Sequence, residues 1–232
     1  MTALFSERNL RNMGYYLAAL WDMDGTLCNT KPGVAKGLRD MCAELGMDQL
    51  SYDEVDQFIG PPVQDTLKRL YGMTDERAAQ VGDIFRKYYR GKDYVLESEP
   101  YEGVRETILR LREAGIRNCV ATLKKQDMAE RICDKYGLRD CFDRIYGTDA
   151  KDNLKKHDLI QLCCEDMGIT DFKRAVMIGD SMYDAEGAAN AGSSFLGVTY
   201  GFGFHSPADI EKYDSIGAAL TPYEVGDILL KR

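Results

Sequence analysis

Short apolar runs recur along the chain at residues 15–21, 116–121, 175–178 and 194–198, each closing on polar or glycine-containing turns. Between them the apolar positions shift to a helical spacing. Val104, Ile108 and Leu111 form one such stripe and Met128, Ile132 and Tyr136 another, each followed by a glycine able to end a helix. Buried strands alternating with crossover helices predict an α/β chain with a parallel sheet wrapped by helices.

The first and second runs are separated by far more chain than the dozen or so residues a single crossover requires. Val34, Leu38, Met41 and Leu45 make a helical stripe ending at Gly46, and residues 53–71 and 75–89 carry further helical patterns without a convincing strand. The expected organisation is therefore a core of residues 1–30 and 99–232 with a small α-helical cap inserted over 31–98. Turn residues in Lys31-Pro32-Gly33 and Glu99-Pro100-Tyr101-Glu102-Gly103 suit a two-strand linker at its ends. Residues 1–12 are mostly polar and lie outside the pattern, so Met13 is an alternative start or the stretch a flexible extension.

Composition narrows the class. A formal net charge of −8 argues against nonspecific nucleic-acid binding, which needs Lys and Arg to displace counterions from phosphates. Seven cysteines without a C-x-x-C pair fit a reduced cytoplasmic protein better than a disulfide framework. The longest early apolar run is far too short for a membrane span and ends on Asp22. A soluble protein, monomeric or homodimeric, is expected.

Candidate chemistry concentrates at strand ends. Trp21-Asp22-Met23-Asp24-Gly25-Thr26-Leu27 puts two carboxylates two residues apart after the first apolar run. Ligands of open α/β sheets bind at the carboxyl ends of strands, and extended chain turns both acids the same way. Alone, such a D-x-D is ordinarily a solvated turn. A second acidic strand end, Gly179-Asp180-Ser181-Met182-Tyr183-Asp184, adds weight. Together they favour a hard divalent cation, because Mg²⁺ takes oxygen ligands, and leave His157 and His205 as ordinary surface or loop residues.

With D-x-D-G-T-L early and G-D-x-x-x-D late, residues 15–232 resemble the haloacid dehalogenase superfamily, and within it the phosphoglycolate-phosphatase-like branch. The resemblance implies a Rossmann-like core and a phosphomonoester hydrolase acting on a small phosphorylated metabolite, phosphoglycolate-like or 5'-nucleotide-like. It makes Asp22 the nucleophile that forms an aspartyl-phosphate and Asp24 the acid and then base. It assigns Mg²⁺ to the Asp22 carboxylate, the Asp24 backbone carbonyl and Asp180, with Asp184 in support. It gives Thr122 a hydrogen bond to a phosphoryl oxygen, with the backbone N–H of Leu123 as a second donor where relatives carry Ser or Asn. Lys156 is selected to hold the phosphoryl group, with Lys155 as the neighbouring choice. The cap turn Phe58-Ile59-Gly60-Pro61-Pro62-Val63 is similar to one that begins a cap helix in this branch, which brings Gly60 and Pro61 to the substrate.

The runner-up is a sugar-phosphate mutase, whose relatives usually carry a His in the hinge where this chain has Asn29-Thr30-Lys31-Pro32-Gly33. A noncatalytic relative is disfavoured, since every expected acid is present. Cys133 and Arg139 satisfy C-x5-R, but the intervening residues continue a helix and lack a phosphate-cradling loop. Gly201-Phe202-Gly203 lacks the third glycine of a dinucleotide fingerprint. Cys28 is expected to be a buried, inert thiol.

Overall fold

The structure is a computed structural model and describes residues 15–149 and 153–231; the expected extension over 1–12 and the alternative start at Met13 lie outside them. In chain order the strands are β1 (Ala18–Trp21), β2 (Cys28–Asn29), β3 (Glu99–Pro100), β4 (Arg117–Lys125), β5 (Arg144–Thr148), β6 (Ala175–Gly179), β7 (Ser194–Val198) and β8 (Ala218–Ala219). The helices are α1 (Lys31–Leu45), α2 (Val63–Tyr71), α3 (Asp75–Gly91), α4 (Val104–Glu113), α5 (Gln126–Lys135), α6 (Lys156–Asp166), α7 (Met182–Ala191), α8 (Pro207–Ile210) and α9 (Pro222–Leu230).

Six strands form a parallel sheet in the order β5-β4-β1-β6-β7-β8. β1 sits near its middle and is buried at every position, which is why its sequence is an unbroken apolar run instead of an alternating one. The two-residue period still divides its side chains. Ala19 and Trp21 join the hydrophobic cluster of Ile108, Leu111 and Ile132, whereas Ala18 and Leu20 join that of Leu159, Ile160 and Phe195. The chain leaves β1 for β4 and β5 on one side and returns through β6 on the other. This reversal opens a crevice at the carboxyl end of β1.

β2 and β3 pair antiparallel, Cys28 with Pro100 and Asn29 with Glu99, and the described chain between them is helical. α1 buries Val34, Leu38, Met41 and Cys42, and α3 buries Val81, Phe85 and Tyr89, each at helical spacing. Two glycines of α1 permit close approach, Gly37 to α3 and Gly33 to the 3₁₀ turn Tyr94–Leu96 that follows it. A Cβ on Gly37 would lie 2.8 Å from the Phe85 ring, and one on Gly33 would lie 2.0 Å from the Tyr94 carbonyl oxygen.

Several expected boundaries shift. Lys31-Pro32-Gly33 opens α1 and is not part of the linker, with proline tolerated in the first turn where its missing N–H has no partner to lose. The segment 53–71 is not one helix: Glu54–Phe58 is a single 3₁₀ turn, and Gly60-Pro61-Pro62 breaks the chain before α2. The second expected strand runs on to Lys125, with a register irregularity between Thr122 and Lys125. β5 lies at the sheet edge and is only partly buried, so its sequence carries no continuous apolar run.

Candidate active site

Parallel pairing brings three strand ends together. Trp21 aligns with Val120 on β4 and Ile178 on β6, so Asp22 emerges between Ala121 and Gly179, and its N–H donates to the Ile178 carbonyl at 2.9 Å. Asp22 is 4% exposed. Lys156, in the first turn of α6, reaches it with Nζ at 2.7 Å from Oδ1. The same ammonium donates to the Ala121 carbonyl at 3.0 Å and lies 2.8 Å from Oδ1 of Asp184. Lys155 instead forms the N-cap of α6, its backbone N–H donating to Asp158.

Asp180 lies in the turn after β6 and Asp184 in the first turn of α7. Asp184 turns back to accept from the Ser181 N–H and hydroxyl at 3.1 and 2.7 Å, a capping box that fixes its carboxylate. Asp180 Oδ2 accepts from the backbone N–H groups of Phe202 and Gly203 at 2.6 and 3.1 Å. Oxygens of Asp22, Asp180 and Asp184 lie within 4.8 Å of one another, all buried. Burial pushes the Asp22 carboxyl up to about 6, with Lys156 opposing and Asp184 and Asp24 adding to the rise. Asp180 is also driven upward by burial and by the charges of Asp184 and Asp22. Asp22 and Asp184 share one ammonium, with the Asp180 carboxylate beside them, in dry surroundings: an excess of negative charge with oxygen donors only. The donor set fits a hard divalent cation, which Asp22, Asp180 and Asp184 would hold.

Glycines make this crowding possible. A Cβ on Gly25, where φ is +80°, would lie 2.2 Å from Asp180 Oδ2, and one on Gly201 2.3 Å from the same atom. At Gly179 it would meet Asp184 at 2.2 Å, and at Gly187 the Lys156 stem at 2.3 Å. Gly201-Phe202-Gly203, set aside as a nucleotide motif, therefore serves as the cradle of Asp180.

Asp24 faces elsewhere. Its side chain lies outside the three-carboxylate cluster and pairs with Lys124, Nζ to Oδ1 at 3.0 Å. Lys124 also donates to the Tyr89 hydroxyl of α3 at 3.3 Å. Burial works against the Lys124 charge, but the Asp24 carboxylate and Tyr89 outweigh it and hold the ammonium above its usual range. Thr122 is buried in β4 where its register irregularity begins, with Oγ1 accepting from the Lys124 N–H at 3.2 Å. Asp24, Leu123 and Lys124 line one cleft with Gly60, Pro61 and Tyr89, which places the turn before α2 beside these strand-end residues. Lys124 meets Asp24 because β4 pairs with β1, and Tyr89 joins them from α3 through the Lys124 ammonium, neither contact being legible from the sequence.

Elsewhere, Cys133 is fully buried on α5 and burial pushes its thiol up to about 12, far from a reactive thiolate. Cys28 is likewise buried, its thiol driven upward by desolvation. All seven cysteines are free. His157 and His205 are absent from the carboxylate cluster. Among the described residues no helix is long and apolar enough to cross a membrane.

A family model described as haloacid dehalogenase-like hydrolase matches residues 19–198. A 5'-nucleotidase of Pseudomonas aeruginosa is 30% identical over 190 residues, covering 81% of this chain and 85% of that protein. A phosphoglycolate phosphatase of Agrobacterium fabrum is 30% identical over 211 residues, 88% of this chain and 90% of the relative. The crystal structure of a predicted phosphatase from Clostridium acetobutylicum superposes with a TM-score of 0.86 at 27% identity, covering 94% of this chain and 99% of that one.

Proposed function

The chain belongs to the haloacid dehalogenase-like hydrolases and is a phosphatase, and from that premise we propose a Mg²⁺-dependent phosphomonoester hydrolase that works through an aspartyl-phosphate on Asp22. One observation carries the reading: Asp22 ends the central strand with Lys156 at 2.7 Å and two further carboxylates beside it. The substrate is a small phosphorylated metabolite, phosphoglycolate-like or a 5'-nucleotide.

In the first half-reaction an Asp22 carboxylate oxygen attacks phosphorus and the bond to the ester oxygen breaks. Asp24, facing the cleft where the leaving group lies, gives that oxygen its proton. In the second, Asp24 takes a proton from water, which attacks phosphorus, releases inorganic phosphate and restores Asp22. Lys156, the Thr122 hydroxyl and the Leu123 N–H are the donors for the equatorial oxygens, and they neutralise charge as it develops. Bound at Asp22, the Asp24 carbonyl, Asp180 and Asp184, Mg²⁺ would screen the repulsion between nucleophile and phosphate. The helices of residues 31–98 act as a cap that keeps water out during the first transfer and admits it for the second. A cytoplasmic setting fits seven reduced cysteines.

The test is a phosphate-release panel with Mg²⁺ covering phosphoglycolate, nucleoside monophosphates, sugar phosphates and pyrophosphate. Release is expected from at least one class, falling by a factor of about 10⁴ or more in Asp22→Asn, which lacks the nucleophile. An inert wild type, or a variant as active as the wild type, rejects the proposal.

A further inference from the structure

The cleft beside Asp24 joins a polar group to an apolar wall. The polar group is the contact of Asp24 with Lys124 and of Lys124 with the Tyr89 hydroxyl. Much of the remaining lining is hydrocarbon: Val34, Phe58, Ile59, Val63 and Phe85 from residues 31–98, and Met128 from α5. Phe85 stacks on the Tyr89 ring with 5.2 Å between centroids, so the wall is continuous with the ring whose hydroxyl meets Lys124. Leu123 adds a further apolar side chain directly after Thr122, at the position where the family resemblance places Ser or Asn.

The charged side chains lining this cleft are already engaged. The Lys124 ammonium lies 3.0 Å from Asp24, the Lys125 ammonium donates to the Asp149 carbonyl at 2.7 Å, and Arg86 pairs with Asp83 at 2.5 Å. A carboxylate brought into the cleft would have to take a cation from its present partner or remain unpaired, and a charge left unpaired away from water is strongly destabilising. An uncharged apolar group meets neither penalty. Each methylene it buries is worth roughly a fourfold gain in binding.

We propose that this cleft selects phosphomonoesters whose leaving group presents uncharged hydrocarbon beside the ester oxygen, with Leu123 and Val63 as specificity-determining residues. This rests on the phosphatase reading above and narrows its substrate: of the classes in the panel, phosphoglycolate ranks low. Asp24 keeps Lys124 as its partner, and the leaving group lies against Leu123, Val63 and Phe85.

The experiment compares kcat/KM for methyl phosphate, isobutyl phosphate and 2-phosphoglycolate. The last two leaving groups have nearly the same shape, methyl groups in one standing where the other has carboxylate oxygens. The wild type is expected to turn over isobutyl phosphate about 10- to 50-fold better than methyl phosphate, and better than phosphoglycolate by about tenfold or more. Leu123→Asn and Val63→Thr, which keep side-chain size and introduce polar atoms, should each lower the isobutyl-to-methyl ratio about three- to tenfold, whereas Leu123→Met should retain most of it. Both positions are half-buried, and Val63→Thr supplies the answer if Leu123→Asn melts early. Isobutyl phosphate turned over no better than methyl phosphate, phosphoglycolate turned over as well as isobutyl phosphate, or unchanged ratios in both variants would overturn the subsite. So would failure to hydrolyse all three esters by an enzyme active on other members of the panel. An enzyme inert on the whole panel rejects the phosphatase reading and the subsite with it. One whose turnover is lost in Asp22→Asn but which shows no preference for isobutyl phosphate rejects the subsite alone.

Discussion

Lys156 is the residue on which the electrostatics of the site turn. Its ammonium is the shared counter-ion of Asp22 and Asp184, and all three side chains are almost wholly shielded from water. Removing one member of a buried ionic group leaves charge without solvent or partner. Lys156→Met is therefore expected to lower stability by about 3–5 kcal/mol in metal-free buffer. The loss should be smaller with Mg²⁺, since a cation held by the same carboxylates restores part of the missing charge; urea denaturation with and without Mg²⁺ measures both. Gly201 offers a test of a different kind, because its cost is steric. A methyl group there would have to displace Asp180 Oδ2, 2.3 Å away, so Gly201→Ala should weaken Mg²⁺ binding tenfold or more by calorimetry, at a stability cost of about 1–3 kcal/mol. Unchanged Mg²⁺ affinity would show that Asp180 is not held for the metal. Asp22, Asp24 and Asp180 stood out in the sequence because each belongs to a motif tied to a strand end, and Lys156 was chosen over Lys155 through the family resemblance. Gly201 did not, since its importance lies in an atom 21 positions away that only the fold brings near.

At the scale of elements, α1 packs closely on α3, which carries Tyr89, and on the 3₁₀ turn Tyr94–Leu96 that follows it. That packing depends on missing side chains. Gly33 faces a backbone carbonyl, which cannot rotate away as a side chain could, so Gly33→Ala should cost about 1–3 kcal/mol in urea denaturation. Gly91, the last residue of α3, has open space around its Cβ position and provides the control. Gly91→Ala should be neutral or slightly stabilising, by up to about 1 kcal/mol. If both substitutions behave alike, close helix approach is not what limits this region. The helical stripes of α1, α4 and α5 were legible because one face of each is buried and the period of 3.6 shows directly. β5, β2 and β3 were not. β5 is an edge strand with one neighbour and partial burial, and β2 and β3 are two residues each, too short for any period to register.

For the molecule as a whole, the clustered acids couple metal, protons and stability. The Asp22 carboxyl titrates at about 6 in the folded protein, above an unfolded aspartate at ~4. The metal-free fold therefore binds this proton more tightly than the unfolded chain does. The stabilisation is complete below pH ~4 and is lost as pH rises through about 6. Metal binding slopes the other way, because a cation needs the carboxylates ionised. The rise in melting temperature on adding Mg²⁺ should consequently be larger at about pH 7.5 than at about pH 5 by differential scanning fluorimetry, and equal shifts would contradict the carboxylate cluster as the metal site. The sequence by itself determined the class of fold and the candidate acids at the strand ends, since alternating apolar runs and the residues just beyond them are local features that burial and strand polarity impose directly, whereas Lys156 was singled out over Lys155 only through the family resemblance. Only the tertiary structure decided that Gly201-Phe202-Gly203 cradles Asp180, that Asp24 faces Lys124 instead of the carboxylate cluster, and that Tyr89 closes over them. Those contacts join segments distant along the chain, and they are set by how helices and loops pack at a strand end, which no periodicity within a single segment encodes.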